Sequence, residues 1–163
     1  MPVTRADIVA EARTWIGTPF QHQQSAKQVA SDCIGLVRGV FREVGLRSEP
    51  VVRTQAAAFA GYARSPDGVS FKRFCDMTML SIEIGDMLPG DVALFAYVRR
   101  MPHHCAIVGD YAHGGLSMIH SIGPGNEGEV VEHRFDDSWR KRLVAAYSIP
   151  GVEWTPQPQR PME

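Results

Sequence analysis

Near the start of the chain, apolar residues recur every three or four positions. Ile8, Val9, Ala12, Trp15 and Ile16 share one side of a helical wheel. Thr4 and Asp7, three apart, fit the reciprocal capping pattern with a shorter acid than usual. The spacing predicts a helix over residues 4–16, stopped by Gly17-Thr18-Pro19. A polar loop covers residues 21–31. Beyond it Val37, Val40, Phe41 and Val44 mark one face of a second helix that closes at Gly45. Ser31 or Asp32 suits its N-cap, because a short side-chain oxygen can accept from the first unpaired amides. Cys33 then falls in the first helical turn.

Residues 46–90 carry a weaker pattern: residues 55–63 read as a helix, and Phe71-Lys72-Arg73-Phe74 as a segment that supports or covers the core. From Gly90 the period shortens to two. Residues 91–98, 104–111, 116–122, 130–135 and 143–149 read as short strands. Pro89-Gly90, Gly114-Gly115 and Gly123-Pro124-Gly125 punctuate them. Helices first and a strand meander afterwards predict an α+β domain, its N-terminal helices packed on a mainly antiparallel sheet of about five strands. Residues 1–153 form that single domain. Residues 154–163, with Pro156, Pro158 and Pro161, read as a Pro-rich tail. There is no internal repeat.

Composition adds mostly exclusions. With 163 residues the chain can bury one core without disulfides. Lys and Arg number 17 against 18 for Asp and Glu, a balance that speaks against nucleic acid as a partner. No stretch approaches the roughly 18 unbroken apolar residues of a membrane span. The three cysteines, Cys33, Cys75 and Cys105, make a poor disulfide framework and suit a reducing compartment. The opening residues lack the apolar run of a secretory signal, so synthesis and folding in the cytoplasm is the expectation.

One of these cysteines has a chemical context. A thiol is a weak nucleophile near neutrality because its pKa of about 8.5 leaves little thiolate. A helix N-terminus and a neighbouring imidazole both lower that pKa. Cys33 has the first by position, and six histidines compete to supply the second: His22, His103, His104, His113, His120 and His133. His104 opens a strand in which Ala106 and Val108 share its face, while Cys105 and Ile107 take the other. His120 ends Ser117-Met118-Ile119-His120 on the neighbouring strand, where it can hold the His104 ring by one nitrogen and leave the other for the thiol. A one-residue register slip would instead turn His103 inward. His113, beside Gly114-Gly115, reads as a solvated turn residue, and Cys75 and Cys105 as core.

Four segments together carry a resemblance. Trp15-Ile16-Gly17-Thr18-Pro19-Phe20, Asp32-Cys33-Ile34-Gly35-Leu36-Val37, Pro89-Gly90-Asp91-Val92-Ala93-Leu94-Phe95 and His104-Cys105-Ala106-Ile107-Val108 resemble, in order, the motifs of NlpC-type cysteine peptidases. Val130-Val131-Glu132 and Trp139-Arg140-Lys141-Arg142-Leu143 are similar to the family's phage-tail members. The resemblance implies a papain-like fold and hydrolysis of peptidoglycan stem peptides, usually at the D-γ-glutamyl–diamino acid bond. It assigns Cys33 as nucleophile, His104 as base and His120 as the polar orienting residue, with no metal or organic cofactor. Phe20, His22, Asp32 and Ile34 fall at oxyanion and substrate-binding positions. The family usually has tyrosine where Phe20 stands; phenylalanine cannot donate a hydrogen bond, so His22 or a backbone group must serve. Ile34 replaces a frequent serine. Phage tail or baseplate proteins are the expected partners, and a virion tail the expected destination.

Three rival readings use the same residues. A non-catalytic tail-tip adaptor or plug would keep the fold and lose the reaction. Amide transfer or deamidation would keep the site and change the product. A zinc site from Cys105, His103, His104 and His120 lacks the paired spacing that structural zinc favours. Gly123-Pro124-Gly125-Asn126-Glu127-Gly128 precedes a strand pattern, so it reads as a hairpin and not a phosphate cradle. Arg140-Lys141-Arg142 reads as a solvated face.

Overall fold

The computed structural model describes residues 2–46, 69–97, 101–123 and 128–153. The helix predicted over residues 55–63, the end of the strand at Val98, the turn at Pro124-Gly125 and the Pro-rich tail lie outside the described residues.

Helix α1 (Arg5–Arg13) begins at Thr4, whose side chain accepts from the Asp7 amide while the Asp7 carboxylate accepts from the Thr4 amide. It ends three residues before the predicted limit. Trp15 and the residues just after it continue as a turn, with Trp15 fully buried. The predicted polar loop contains a small hairpin, β1 (Ser25–Ala26) and β2 (Ala30–Ser31). Helix α2 (Cys33–Glu43) follows directly, with Asp32 as its N-cap. Helix α3 (Ser70–Thr78) covers the Phe71-to-Phe74 segment, and Phe74 and Cys75 enter the core.

The main sheet has six strands, one more than the repeat of two predicted. In chain order they are β3 (Leu80–Ile82), β4 (Val92–Phe95), β5 (His104–Asp110), β6 (Leu116–Ser121), β7 (Val130–Arg134) and β8 (Leu143–Ser148). The spatial order is β3-β8-β4-β5-β6-β7, and every pairing is antiparallel. The additional strand, β3, is a short edge element with two exposed residues and one half-buried, so it offers no apolar alternation to detect. A short helix, α4 (Asp137–Arg140), lies between β7 and β8, capped by Asp136.

Each face of the sheet has its own apolar layer. Val92, Leu94, Cys105, Ile107, Ile119 and Tyr147 meet α1 and α2 on one side. Ala93, Phe95, Ala106, Val108, Met118 and Ala146 form the other, closed by Phe135, Trp139 and Leu143. This is the period-two alternation in β5, realised in space. Two glycines permit the helices to approach. A Cβ at Gly39 would lie 2.1 Å from the Trp15 ring, so only glycine lets α2 close on it. Gly90 has φ +93 and a Cβ there would lie 2.9 Å from the Arg5 Cβ. Beside that turn the Arg5 guanidinium donates to the Pro89 carbonyl, the Asp91 carboxylate and the Ser148 hydroxyl. Asp91 also accepts from the Leu88 amide at 2.8 Å, so the Pro-Gly-Asp turn pins α1 to the start of β4.

Candidate active site

Cys33 is the first residue of α2 and is half-buried. The helix starts there because Asp32 supplies an acceptor that Cys33 cannot: its Oδ1 accepts from the Gly35 amide at 2.8 Å. Its Oδ2 accepts from the Gln23 amide at 2.6 Å and lies 3.6 Å from His22 Nδ1. A cap of this kind is worth about 1 kcal/mol. Gly35 is required beside it, since a Cβ would lie 1.8 Å from the Gln24 carbonyl oxygen. The loop before the helix is thereby drawn tight over the cap, and the Cys33 thiol sits at the helix end where unpaired amides carry partial positive charge.

His104 is the first residue of β5 and is 7 % exposed. It lies at the strand end nearest the start of α2, where the Cys105 thiol donates to the Cys33 carbonyl at 3.3 Å. The Cys33 thiol is held well below its ordinary pKa. The largest cause is a hydrogen bond from Cys105, followed by the hydrogen bond and charge of His104, with burial opposing both. Cys105 is correspondingly pushed well above its usual value, first by the same contact with Cys33 and then by burial. The pair therefore ionises at Cys33 and stays protonated at Cys105.

Behind His104 stand two more imidazoles. His104 Nε2 lies 2.7 Å from His120 Nδ1, and His120 Nε2 lies 2.8 Å from His133 Nε2. His133 Nδ1 donates to the Arg134 carbonyl at 3.0 Å. Since Nε2 of His104 is taken, Nδ1 is the nitrogen left for the thiol. His120 is completely buried and its pKa is pushed down to about 2, by burial first and then by the charges of His104 and His133. It remains a neutral ring. Trp139 on α4 lies against all three imidazoles, with centroid separations of 5.8 Å to His104, 5.1 Å to His120 and 5.7 Å to His133. Tyr97 packs on His103 and Trp139, with Arg142 over its ring. Its hydroxyl is pushed up to about 12 by burial, against the Arg142 charge and with the Cys33 charge.

The profile of the NlpC/P60 family matches residues 17–148, which takes in the cap, the thiol, all three histidines and Trp139. The chain belongs to the NlpC/P60 family. Its fold is similar to the crystal structure of the NlpC/p60 domain of peptidoglycan hydrolase SagA, at 26 % identity and TM-score 0.61, over 90 % of this chain and 100 % of that one. An NlpC/P60 family protein from Bacillus cereus aligns at 15 % identity and TM-score 0.61, over 91 % of this chain and 41 % of the other. NlpC2 from Trichomonas vaginalis aligns at 16 % and 0.56, over 89 % of this chain and 47 % of the other. The chain thus spans the whole of the first relative and under half the length of the other two. No curated protein sequence matches it.

Within the NlpC/P60 frame the site residues named from sequence divide into two groups. Cys33, His104, His120 and Asp32 come together at the junction of α2 and the sheet. The side chain of Ile34 does not join them: it is 6 % exposed, packed with Val37, Phe41 and Cys75, so only its backbone faces the helix end. His22 Nδ1 lies 3.6 Å from the Asp32 carboxylate, beside the cap. Phe20 is half-buried. Its amide donates to the Gly128 carbonyl at 2.6 Å, and its ring would lie 3.9 Å from a Cβ at Gly123. His103 is not inward; its Nδ1 donates to the Met101 carbonyl at 2.7 Å. His113 is exposed in the β5–β6 turn. Among the described residues no group of three or more His, Cys, Asp or Glu side chains is arranged to hold a metal ion.

Three residues around the site carry more than the sequence pattern assigns them. Cys105 is core, as expected, and its thiol also reaches the start of α2, donating to the Cys33 carbonyl at 3.3 Å and favouring ionisation of the Cys33 thiol. Strand alternation turns it to the face opposite His104, the face that meets α2, and that was the available signal. His133 has no distinguishing pattern in the sequence, although it sits on β7 opposite Met118 and so on the face of His120. Trp139 opens the segment Trp139-Arg140-Lys141-Arg142-Leu143, but a four-residue helix has too little periodicity to show which way it points.

Proposed function

We propose that this chain is a cysteine endopeptidase that hydrolyses peptidoglycan stem peptides, at the D-γ-glutamyl–diamino acid bond. The observation that carries the proposal is the thiol of Cys33 at a helix N-terminus, its pKa depressed, beside His104 whose far nitrogen is held by His120 at 2.7 Å. The NlpC/p60 domain of the peptidoglycan hydrolase SagA supports the substrate class.

The reaction runs through the chain's own groups. The Cys33 proton passes to His104 Nδ1, and the thiolate adds to the scissile carbonyl carbon. The developing oxyanion is met by the backbone amides of Cys33 and Ile34 at the start of α2, which helix geometry leaves without an intrahelical acceptor, the Gly35 amide being taken by Asp32. On collapse the C–N bond breaks, and His104 returns its proton to the leaving amine of the diamino acid. Water then adds to the thioester as His104 takes one of its protons, and the glutamyl acid departs as the thiol re-forms. His120 acts by orienting His104, and Asp32 by fixing the helix start, with His22 behind it. Digestion of purified sacculi tests this. Wild type should release fragments with new diamino-acid amine termini and Cys33→Ala should release none; identical traces from folded, reduced proteins refute it.

The proposal extends to delivery: residues 1–153 act as one peptidase domain, made in the cytoplasm and built into a phage tail or related particle. The likeness of Val130-Val131-Glu132 and the Trp139 segment to phage-tail members supports it. Mass spectrometry of purified particles tests it, and particles lacking this chain refute it. Phe20 favours one competing reading, a tail adaptor that keeps the fold without turnover, because the position lacks the hydroxyl usual in the family. The sacculus digestion separates the two.

A further inference from the structure

We propose that His133 is a positioning residue that sets the tautomer of His104 through His120, making the site a relay of three imidazoles behind the thiol. The inference rests on the reading of His104 as the base.

The direction of the relay is fixed at its outer end. The Arg134 carbonyl can only accept, so the His133 ring nitrogen 3.0 Å away, Nδ1, must carry a proton. A neutral His133 then has a bare Nε2. That nitrogen lies 2.8 Å from His120 Nε2, so the proton between them belongs to His120. His120 is fully buried and carries one ring proton, so its Nδ1 is bare. His104 Nε2, 2.7 Å away, must donate to it. The remaining nitrogen of neutral His104, Nδ1, is therefore an acceptor for the Cys33 proton. Each step follows from having one hydrogen per contact, and the whole order is dictated by a backbone carbonyl on β7.

Without an acceptor at position 133, the buried N–H of His120 has no partner, which is costly. The His120 proton then moves to Nδ1, and His104 Nε2 becomes the acceptor. The only His104 proton now sits on Nδ1, facing the thiol, and the base is blocked. Trp139 lies against the His133 ring but offers no substitute, because its indole is a donor only.

Two substitutions separate acceptor from shape. His133→Gln places an amide oxygen near the former Nε2, whereas His133→Phe keeps a ring against Trp139 and offers no acceptor. The readout is the alkylation rate of Cys33 near neutral pH, which needs no peptide substrate. The glutamine variant should stay within about threefold of wild type, and the phenylalanine variant should fall by about tenfold or more. A wrong tautomer in a serine triad costs about 10⁴ in kcat. Phenylalanine matching wild type while glutamine falls would mean packing, and would overturn the relay. Nitrogen-15 spectra of the Cys33→Ala chain at mildly alkaline pH give a second test that survives misfolding of either variant. Protons on His104 Nε2, His120 Nε2 and His133 Nδ1 are expected; a proton on His133 Nε2 would overturn it. An intact relay with uncut sacculi would fail the hydrolase reading alone.

Discussion

Replacing Cys105 by valine removes a hydrogen-bond donor from beside the Cys33 thiolate and leaves an apolar side chain in its place, at the cost of one added methyl group. Cys105 is 3 % exposed and packed in the layer under α2, so the substitution leaves an apolar contact in place. Hydrogen bonds to charged groups contribute about 1.5–3 kcal/mol, and S–H is a weak donor, so the lower end applies. About 1.4 kcal/mol corresponds to about one pKa unit. The sign is upward, because the lost contact favoured the thiolate. Below both pKa values the thiolate fraction falls about tenfold. Nucleophilicity recovers about threefold of that, since it rises with thiol pKa at a slope of about 0.4–0.5. The net loss in alkylation rate is about three- to fourfold, with the midpoint of the pH profile raised by about one unit. Cys75 does not interfere, because burial and the Asp76 charge push its thiol up to about 12. Alkylation followed by mass spectrometry across the acid and neutral range measures both quantities. Cys105→Ser retains a donor and should hold the midpoint near that of wild type. Equal midpoints for valine and wild type, or equal shifts for valine and serine, would refute the reasoning.

Other predictions follow from the same geometry. His120 stays neutral in the fold down to about pH 2 but takes up a proton on unfolding. Between that pH and about 6.5 the unfolded state binds more protons, so stability falls with acidification by up to about 1.4 kcal/mol per pH unit. Urea midpoints should fall less steeply with acid for His120→Asn than for wild type, and parallel slopes would contradict this. The Gly39→Ala variant forces a methyl into the Trp15 ring and should cost about 1–3 kcal/mol, read as a lowered thermal midpoint. An unchanged midpoint would mean that α1 and α2 separate freely. For Phe20→Tyr, restoring the family's usual hydroxyl should raise kcat on stem peptides several-fold with little change in KM. Unchanged kcat would show that backbone donors already suffice.

The legibility of this chain followed the range of the physics. Thr4 was readable as a cap, and the second cap was narrowed to Ser31 or Asp32, because capping depends on residues three apart; the structure puts it at Asp32. The alternation in β5 placed Cys105 and His104 on opposite faces because strand parity is strict. The meeting of Cys33 with His104 was also anticipated, though from the order of four motifs; nothing local to either residue encodes a contact across 71 positions. What escaped notice depended on register between distant strands. His133 joins the site only because β7 pairs with β6 so that Met118 faces it, and that register is invisible in either strand alone. Strand β3 escaped because an exposed edge needs no apolar period. Ile34 was assigned to substrate by the motif position where the family often has serine, yet on a helix adjacent residues diverge by about 100° and its side chain is buried in the core.

The account stands or falls on Cys33 forming a covalent intermediate with the stem peptide. Rapid quenching of wild type with a synthetic stem peptide, followed by intact and peptide mass spectrometry, reads it directly. An acyl adduct of the mass of the glutamyl fragment on Cys33, formed and lost within turnover, is the predicted result. Turnover with no adduct on Cys33, or persisting undiminished in Cys33→Ala, would contradict it.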